Sequence, residues 1–373
     1  MTFTCDKQQL QDALALVTRA TSTRTTLSIL ECVLLSAGDD GLTLVASDLE
    51  IYIKAKPIPA EVNAPGSIAL DAKLFTDIVR KMPGDFVTIE TDEAYTALCK
   101  SGRSRLKISG QPPDEFPVID EAEIGVANNG YVLKSQTLKE MIRQTIFSIS
   151  QDQSKLVLTG ELLEIKENTL SIVAVDMFRI SYRAHALSEG DMEYRAIVPG
   201  KSMNELVRIL PASEEEDVNF FFTAKWAVFE TSGFTMVSRL LEGEFIRYDQ
   251  IFNEDFTTAV TVDRVQLLNA FERAILVAVE GRMPPTQLDV TNDELLISVH
   301  NERGQVNDGI PCETDGTELS IHFNPRYFIE ALRVIDDERV VLKFNTQLSP
   351  CTLKGESDSV DCKYLIVPLR PPA

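Results

Sequence analysis

Three stretches decide the fold: LTLVASDLE from Leu42 to Glu50, LSIVAVDMF from Leu170 to Phe178, and LLISVHNER from Leu295 to Arg303. They begin 128 and 125 residues apart. A second set keeps the same two offsets: IALDAKLFTDIVRKM from Ile68, AIVPGKSMNELVRIL from Ala196 and IHFNPRYFIEALRVI from Ile321. Two independent patterns on one pair of spacings mark an internal repeat. We therefore expect three units, at 1–121, 129–250 and 256–373, bridged by 111–130 and by 252–257. A unit of that size is long enough to bury its own core.

Inside each unit the hydrophobic period switches between 2 and 3.6. The first helix of the first unit opens at Asp6, a residue type suited to an N-cap. Its apolar face is Leu10, Ala13, Leu14 and Val17, repeated as Leu138, Met141, Ile142, Ile146 and as Leu267, Phe271, Ala274, Ile275. The second helix carries Leu74, Phe75, Ile78, Val79, Met82, then Met203, Leu206, Val207, Leu210, then Phe328, Ala331, Leu332, Ile335. Alternating strands such as CVLLSA and FVTIE lie between, separated by turns such as AGDDG. The expectation is an α+β class, with two helices packed on antiparallel sheet in each of three tandem repeats.

The 373 residues carry 57 acidic and 36 basic side chains, a formal net charge of −21. That total excludes a protein that grips nucleic acid by bulk charge. Position matters more than the sum. The six helical windows hold 14 basic and 9 acidic residues, only four of them Glu, so the negative excess lies outside the helices. Lys, Arg and Glu have similar helix propensity. Depletion of Glu on exposed helix faces therefore asks for another cause, and a polyanion facing them supplies one.

Chemistry motifs are sparse. The string PGKS, Pro199–Ser202, has Arg195 where a phosphate-cradling loop needs glycine, and reads as a helix start. Asp48 with Glu50 repeats as Asp176 and Asn301, which fits a turn role better than a metal pair. Three scattered histidines and six cysteines show no ligand or catalytic spacing, so we expect reduced, mostly buried thiols. Neither a secretory start nor an apolar run long enough to span a bilayer is present, which points to a cytoplasmic protein.

At this point RTTLSIL (Arg24–Leu30), LTLVASDLE, SGRSRLKI (Ser101–Ile108), DEFPVID (Asp114–Asp120), FNPRYFIEAL (Phe323–Leu332) and YLIVPLR (Tyr364–Arg370) stand in one order along a threefold repeat. Over its whole length the chain resembles the bacterial DNA sliding clamps, the beta subunits of DNA polymerase III. The resemblance implies a head-to-tail homodimer closing a six-domain ring around duplex DNA, without sequence specificity, cofactor, metal or catalysis. It implies the polymerase catalytic subunit, the clamp loader, and other polymerases and repair proteins as partners, in a nucleoid-associated cytoplasmic setting and not at a membrane. A clamp-fold scaffold that does not load on DNA is the alternative.

The site residues follow from the resemblance and from residue type. Arg24, Lys73, Arg80, Lys139, Arg143, Gln151, Lys201 and Arg326 are the DNA-facing candidates. Arg103, Arg105, Leu106 and Ile108 are expected to meet Ile275, Leu276 and Glu302 across the dimer contact. A partner-peptide pocket between the second and third domains would use Leu158, Val175, Met177, Phe178, Arg179 and Ile180, with Ile246, Gln250 and Ile251. The third domain would add Asn324, Tyr327, Leu348, Pro350 and the tail Leu365, Ile366, Val367, Pro368, Leu369 and Arg370. Met177 and Phe178 stand where clamps commonly have a small residue and His, which bears on peptide preference.

Overall fold

The computed structural model describes residues 1–373 apart from 23–24, 120–123, 125–129, 189–192, 253–254, 278–284, 358 and 371–373. The element order repeats three times, with one extra strand, β5, in the first repeat. The first repeat runs β1 (Thr2–Asp6), α1 (Lys7–Val17), β2 (Cys32–Gly38), β3 (Gly41–Ser47), β4 (Ile51–Ala55), β5 (Ala60–Ala64), β6 (Gly66–Asp71), α2 (Ala72–Lys81), β7 (Phe86–Thr91), β8 (Thr96–Ser101) and β9 (Ser104–Ser109). The second runs β10 (Tyr131–Lys134), α3 (Ser135–Arg143), β11 (Gly160–Lys166), β12 (Thr169–Val175), β13 (Arg179–Ala186), β14 (Tyr194–Pro199), α4 (Gly200–Ile209), β15 (Asp217–Phe222), β16 (Trp226–Glu230) and β17 (Phe234–Arg239). The third runs β18 (Thr258–Asp263), α5 (Arg264–Ile275), β19 (Thr286–Val290), β20 (Glu294–Asn301), β21 (Gly304–Gly316), β22 (Leu319–Phe323), α6 (Pro325–Leu332), β23 (Arg339–Phe344), β24 (Cys351–Gly355) and β25 (Cys362–Ile366).

Strand hands over to helix by one device. Asp6, Asp71, Asp263 and Asn324 each end a strand or follow one, and each side chain accepts a hydrogen bond from a first-turn amide, at 2.9, 2.7, 2.7 and 3.0 Å. Such caps satisfy amides that have no partner within the helix. The anticipated turn role of Asp48 is also seen: its Oδ1 accepts from the amides of Glu50 and Ile51 at 3.0 and 2.7 Å. Asp176 repeats this with Phe178 and Arg179 at 2.7 and 3.0 Å, and Asn301 accepts from Arg303 at 2.8 Å. At the β2–β3 turn, Gly41 has φ +109°, and a Cβ there would lie 2.3 Å from the Ile58 carbonyl oxygen.

The chain forms two compact units, residues 1–138 with 204–240 and residues 139–203 with 241–373, so the second repeat contributes strands to both. In the first unit, β5-β1-β7-β8-β9 form one antiparallel sheet and β10-β15-β16-β17-β4-β3-β2-β6 another. In the second unit one sheet runs β14-β11-β12-β13-β25-β24-β23-β18-β21-β20-β19-β22. Each sheet that crosses repeats does so by one rule. The third strand after the first helix of one repeat pairs antiparallel with the last strand of the next: β4 with β17, and β13 with β25.

The helix faces follow the sequence with local exceptions. Leu10, Ala13, Leu14 and Val17 are the buried residues of α1. In the third repeat Phe271 stacks on Phe328 at 4.7 Å, and Phe323 meets Phe328 edge-on at 5.1 Å. Leu74 was expected inward but is exposed, because it sits about 100° round the helix from the centre of the Phe75, Ile78 and Val79 face. Ile146 and Val207 are only half-buried, and Ile146 lies past the end of α3 in a short 3-10 turn. All six cysteines are free and five are buried. Burial holds the Cys99 thiol up at about 11, which leaves it inert.

Candidate functional site

Basic side chains stand on the helices of each unit. Lys73 and Arg80 are exposed on α2, opposite its buried Phe75 and Val79, and Lys201 is exposed in the first turn of α4. Arg326 is exposed on α6, Gln151 is exposed, and Lys139 and Arg143 are half-buried. Arg24 lies outside the described residues. Most of these arginines have an anionic neighbour: Arg80 with Asp77 at 2.5 Å, Arg143 with Asp336 at 3.6 Å, Arg326 with Glu330 at 2.9 Å. Arg19 and Arg208, which the sequence reading passed over, share Glu205 at 3.4 and 2.5 Å. Partnered cations on a wet surface give a weak, screened field, suited to loose contact with a polyanion and poorly suited to a grip.

In the second unit, strands β11–β13, their neighbour β25 and the segment after β17 bury one apolar cluster. Leu158, Val175, Ile180 and Leu365 form part of it with Leu162, Val173, Ile197, Phe245 and Tyr248, while Ile246 and Val367 pack on its edge. Tyr248 is fixed by its hydroxyl donating to Glu164 at 2.5 Å, and its ring lies 6.0 Å from Tyr182. Desolvation and that carboxylate push the Tyr248 phenol far above its ordinary range. A cavity of about 140 Å³ adjoins, lined by Ile251, Pro350 and Leu365 together with Phe256, Phe344 and Ser349. Lys343 lies 4.4 Å over the Phe256 ring there.

Above the cluster stands a wall built on the Asp176 turn. The Arg179 guanidinium lies over the rings of Tyr327 at 4.7 Å and Phe147 at 5.4 Å, and its Nε donates to Asp176 at 2.9 Å. It also donates to Glu330 and to the Phe147 carbonyl. Phe178 stacks on Tyr327 at 6.2 Å with planes 17° apart. Met177 at 58 %, Phe178 at 45 % and Leu348 at 72 % exposure are large apolar groups left in water beside buried ones. That arrangement, an apolar floor with a few convergent polar groups, is what a peptide groove needs.

Three consecutive stretches match the DNA polymerase III beta subunit: its N-terminal domain over residues 1–120, its central domain over 132–246 and its C-terminal domain over 249–370. The chain belongs to that family. It is similar to the beta sliding clamp of Staphylococcus aureus, 32 % identical over 97 % of this chain and 96 % of the relative. The crystal structure of a DNA polymerase sliding clamp from Bacillus subtilis overlays with a TM-score of 0.95 at 30 % identity, covering 100 % of both chains. A sliding clamp from Pseudomonas aeruginosa bound to griselimycin gives 0.93 at 29 %, again over 100 % of both. Beta sliding clamps are non-catalytic processivity factors of DNA replication, and that is the function of this chain.

Seen as a clamp, the anticipated pocket residues fall into classes that the sequence could not separate. Leu158, Val175, Ile180 and Leu365 are floor, and Met177, Phe178, Ile251 and Leu348 are rim. Gln250, Pro350 and Arg370 are exposed, while Asn324, Pro368 and Leu369 are half-buried. Ile366 departs from expectation. Strand alternation turns it away from Leu365, into the third-repeat core with Phe323 and Phe344. Phe147, Glu330 and Phe256 were missed, because each reads as an ordinary helix or strand-flank residue until the fold brings it to Arg179 or Leu365.

The anticipated dimer residues are also mixed. β9 is the edge of its sheet, with Arg105 and Leu106 exposed, whereas Ile108 is buried in its own unit. Arg103 and Glu302 are exposed turn residues, Ile275 is half-buried, and Leu276 is 79 % exposed at the end of α5. No group of three or more His, Cys, Asp or Glu suited to a metal ion is found among the described residues.

Proposed function

We propose that two copies of this chain close head to tail into a ring of six similar domains, taken as 1–121, 129–250 and 256–373 of each copy. The observation that carries this is the joining rule. Third-strand positions pair with the last strand of the following repeat at β4–β17 and β13–β25. The remaining third strand, β21, and the remaining last strand, β9, are the two members of that rule without such a partner among the described residues. β21 pairs with β20 along Gly304–Pro311 and with β18 only along Cys312–Gly316, so among the described residues one edge of its first half is open. A second copy would supply β9 to β21 and β21 to β9, a head-to-tail contact that closes and pairs both of these edges. Leu106 and Leu276 would supply apolar contact, with Arg103, Arg105 and Glu302 at the rim.

In this reading the helices line the hole. Lys73, Arg80, Lys139, Arg143, Gln151, Lys201, Arg326 and Arg24 meet phosphates transiently. Retention then comes from topology, because non-specific electrostatic affinity is only about 10⁻⁴ to 10⁻⁶ M. The acidic remainder keeps DNA off the outer surface. The groove over Leu158, Ile180 and Leu365 takes short hydrophobic peptides from the polymerase, the clamp loader and repair proteins, in the cytoplasm. Sedimentation velocity tests the closure. The wild-type chain should run as a dimer at micromolar concentration, and Leu106→Asp with Leu276→Asp as a folded monomer. A wild-type chain that is strictly monomeric contradicts the ring.

A further inference from the structure

We propose that Glu330 is a positioning residue that makes the peptide pocket respond to phosphate bound at Arg326; this rests on the pocket and DNA-facing readings above. Glu330 lies one helical turn after Arg326 on α6. Its Oε1 accepts from Arg326 Nε at 2.9 Å and its Oε2 from Arg179. A single carboxylate is thus shared by two cations of opposite exposure. The Arg326 side chain is 64 % exposed, and that of Arg179 is 10 % exposed.

Among the described residues, the other polar and aromatic partners of the Arg179 side chain belong to the pocket wall. Asp176 fixes its Nε, the Tyr327 and Phe147 rings pack against its guanidinium, and Phe178 stacks on the same Tyr327. Arg179 is therefore the pin of the wall, and Glu330 is the anchor shared with a surface arginine. A phosphate competes well for Arg326, since arginine–phosphate hydrogen bonds are charge-assisted and bidentate. Once Arg326 is drawn off, the Glu330 charge acts on Arg179 alone, where water screens it little. The wall is then more ordered before a peptide arrives, and less ordering remains to be done on binding. Coupling of this kind is reciprocal, so peptide also strengthens the phosphate contact. The corresponding turn of the first repeat has Ile51 at the Arg179 position, so no such pin exists there.

Partly exposed ion pairs limit the size of the effect to about two- to five-fold in peptide affinity. The test titrates a fluorescent hydrophobic Leu- and Phe-containing peptide against the full chain, with and without a saturating short DNA duplex at low salt. Wild type should bind the peptide two- to five-fold tighter with duplex present. Glu330→Gln and the exposed Arg326→Ala should still bind peptide and lose the difference, while Glu330→Asp should restore part of it. Equal coupling in wild type and Glu330→Gln, or no coupling in a wild type that binds both ligands, overturns the proposal. Failure of wild type to bind peptide at all, or duplex at all, overturns instead the reading on which it rests.

Discussion

The β4–β17 junction and the β13–β25 junction are one design used twice. Leu34, Val45, Tyr52, Ala69 and Val237 of the first sit 128 residues before Leu162, Val173, Ile180, Ile197 and Leu365 of the second, and both sets are buried clusters. Each includes a phenylalanine from the segment after a repeat's last strand, Phe116 or Phe245, in DEFPVID and GEFIRYD. The turns differ. Asp48-Leu49-Glu50-Ile51 and Asp176-Met177-Phe178-Arg179 share the same carboxylate cap, yet only the second adds an arginine packed against aromatic rings. The scaffold was duplicated whole. In the proposed function, recognition is carried by one copy only, through the side chains of its Asp176 turn.

Floor substitutions should therefore be equivalent at the two junctions and wall substitutions should not. Leu34→Ala and Leu162→Ala should each lower unfolding stability by about 2–5 kcal/mol, measured by urea denaturation followed separately in each unit. A large cost at one and none at the other breaks the equivalence. Arg179→Ala should weaken peptide binding by about 10- to 50-fold, as loss of a packed arginine anchor does, while Ile51→Ala leaves the titration unchanged.

A third contrast concerns acidity inside the repeat. Glu161 is fully buried where the other repeats have Val33 and Thr286; Thr145 donates to its Oε1 at 2.6 Å and its Oε2 has no partner among the described residues. Desolvation raises its pKa to about 8, against hydrogen bonding from Thr145. The folded state thus holds a proton that the unfolded state releases near the ordinary Glu value, about 4.3. Stability contributed by this group is whole below that value, falls as pH rises, and is lost by about 8. Glu161→Gln should raise the melting temperature by several degrees at pH above 8 and hardly change it near pH 4. A pH-independent difference would sink the assignment. The smallest effect is in the shared cap: Asp48→Ala and Asp176→Ala should each cost about 1 kcal/mol, and only the latter should also weaken peptide.

Repetition made the fold legible. Offsets of 128 and 125 aligned strands and helices before any contact was known, and buried faces such as Leu10, Ala13, Leu14 and Val17 followed from a 3.6 period. Leu74 escaped because a helix face has edges that composition does not mark. The site was legible only through family likeness, since Leu158 and Met177 look equally apolar in sequence while one is floor and the other rim. Nothing local announces Glu330 as the partner of Arg179, 151 residues away. The charge count located the basic helices but overstated their field, because Arg80, Arg208 and Arg326 each have a carboxylate of the same helix beside them.

Retention on DNA by topology is the central claim, and linearisation tests it most directly. The chain is loaded onto nicked circular DNA by a clamp loader, and the circle is then cut once with a restriction enzyme. Protein should stay on the circle at moderate salt and leave within the time of cutting, by sliding off the ends. Protein that remains bound to the linear product, or that never outlasts free exchange on the circle, would contradict a ring around DNA.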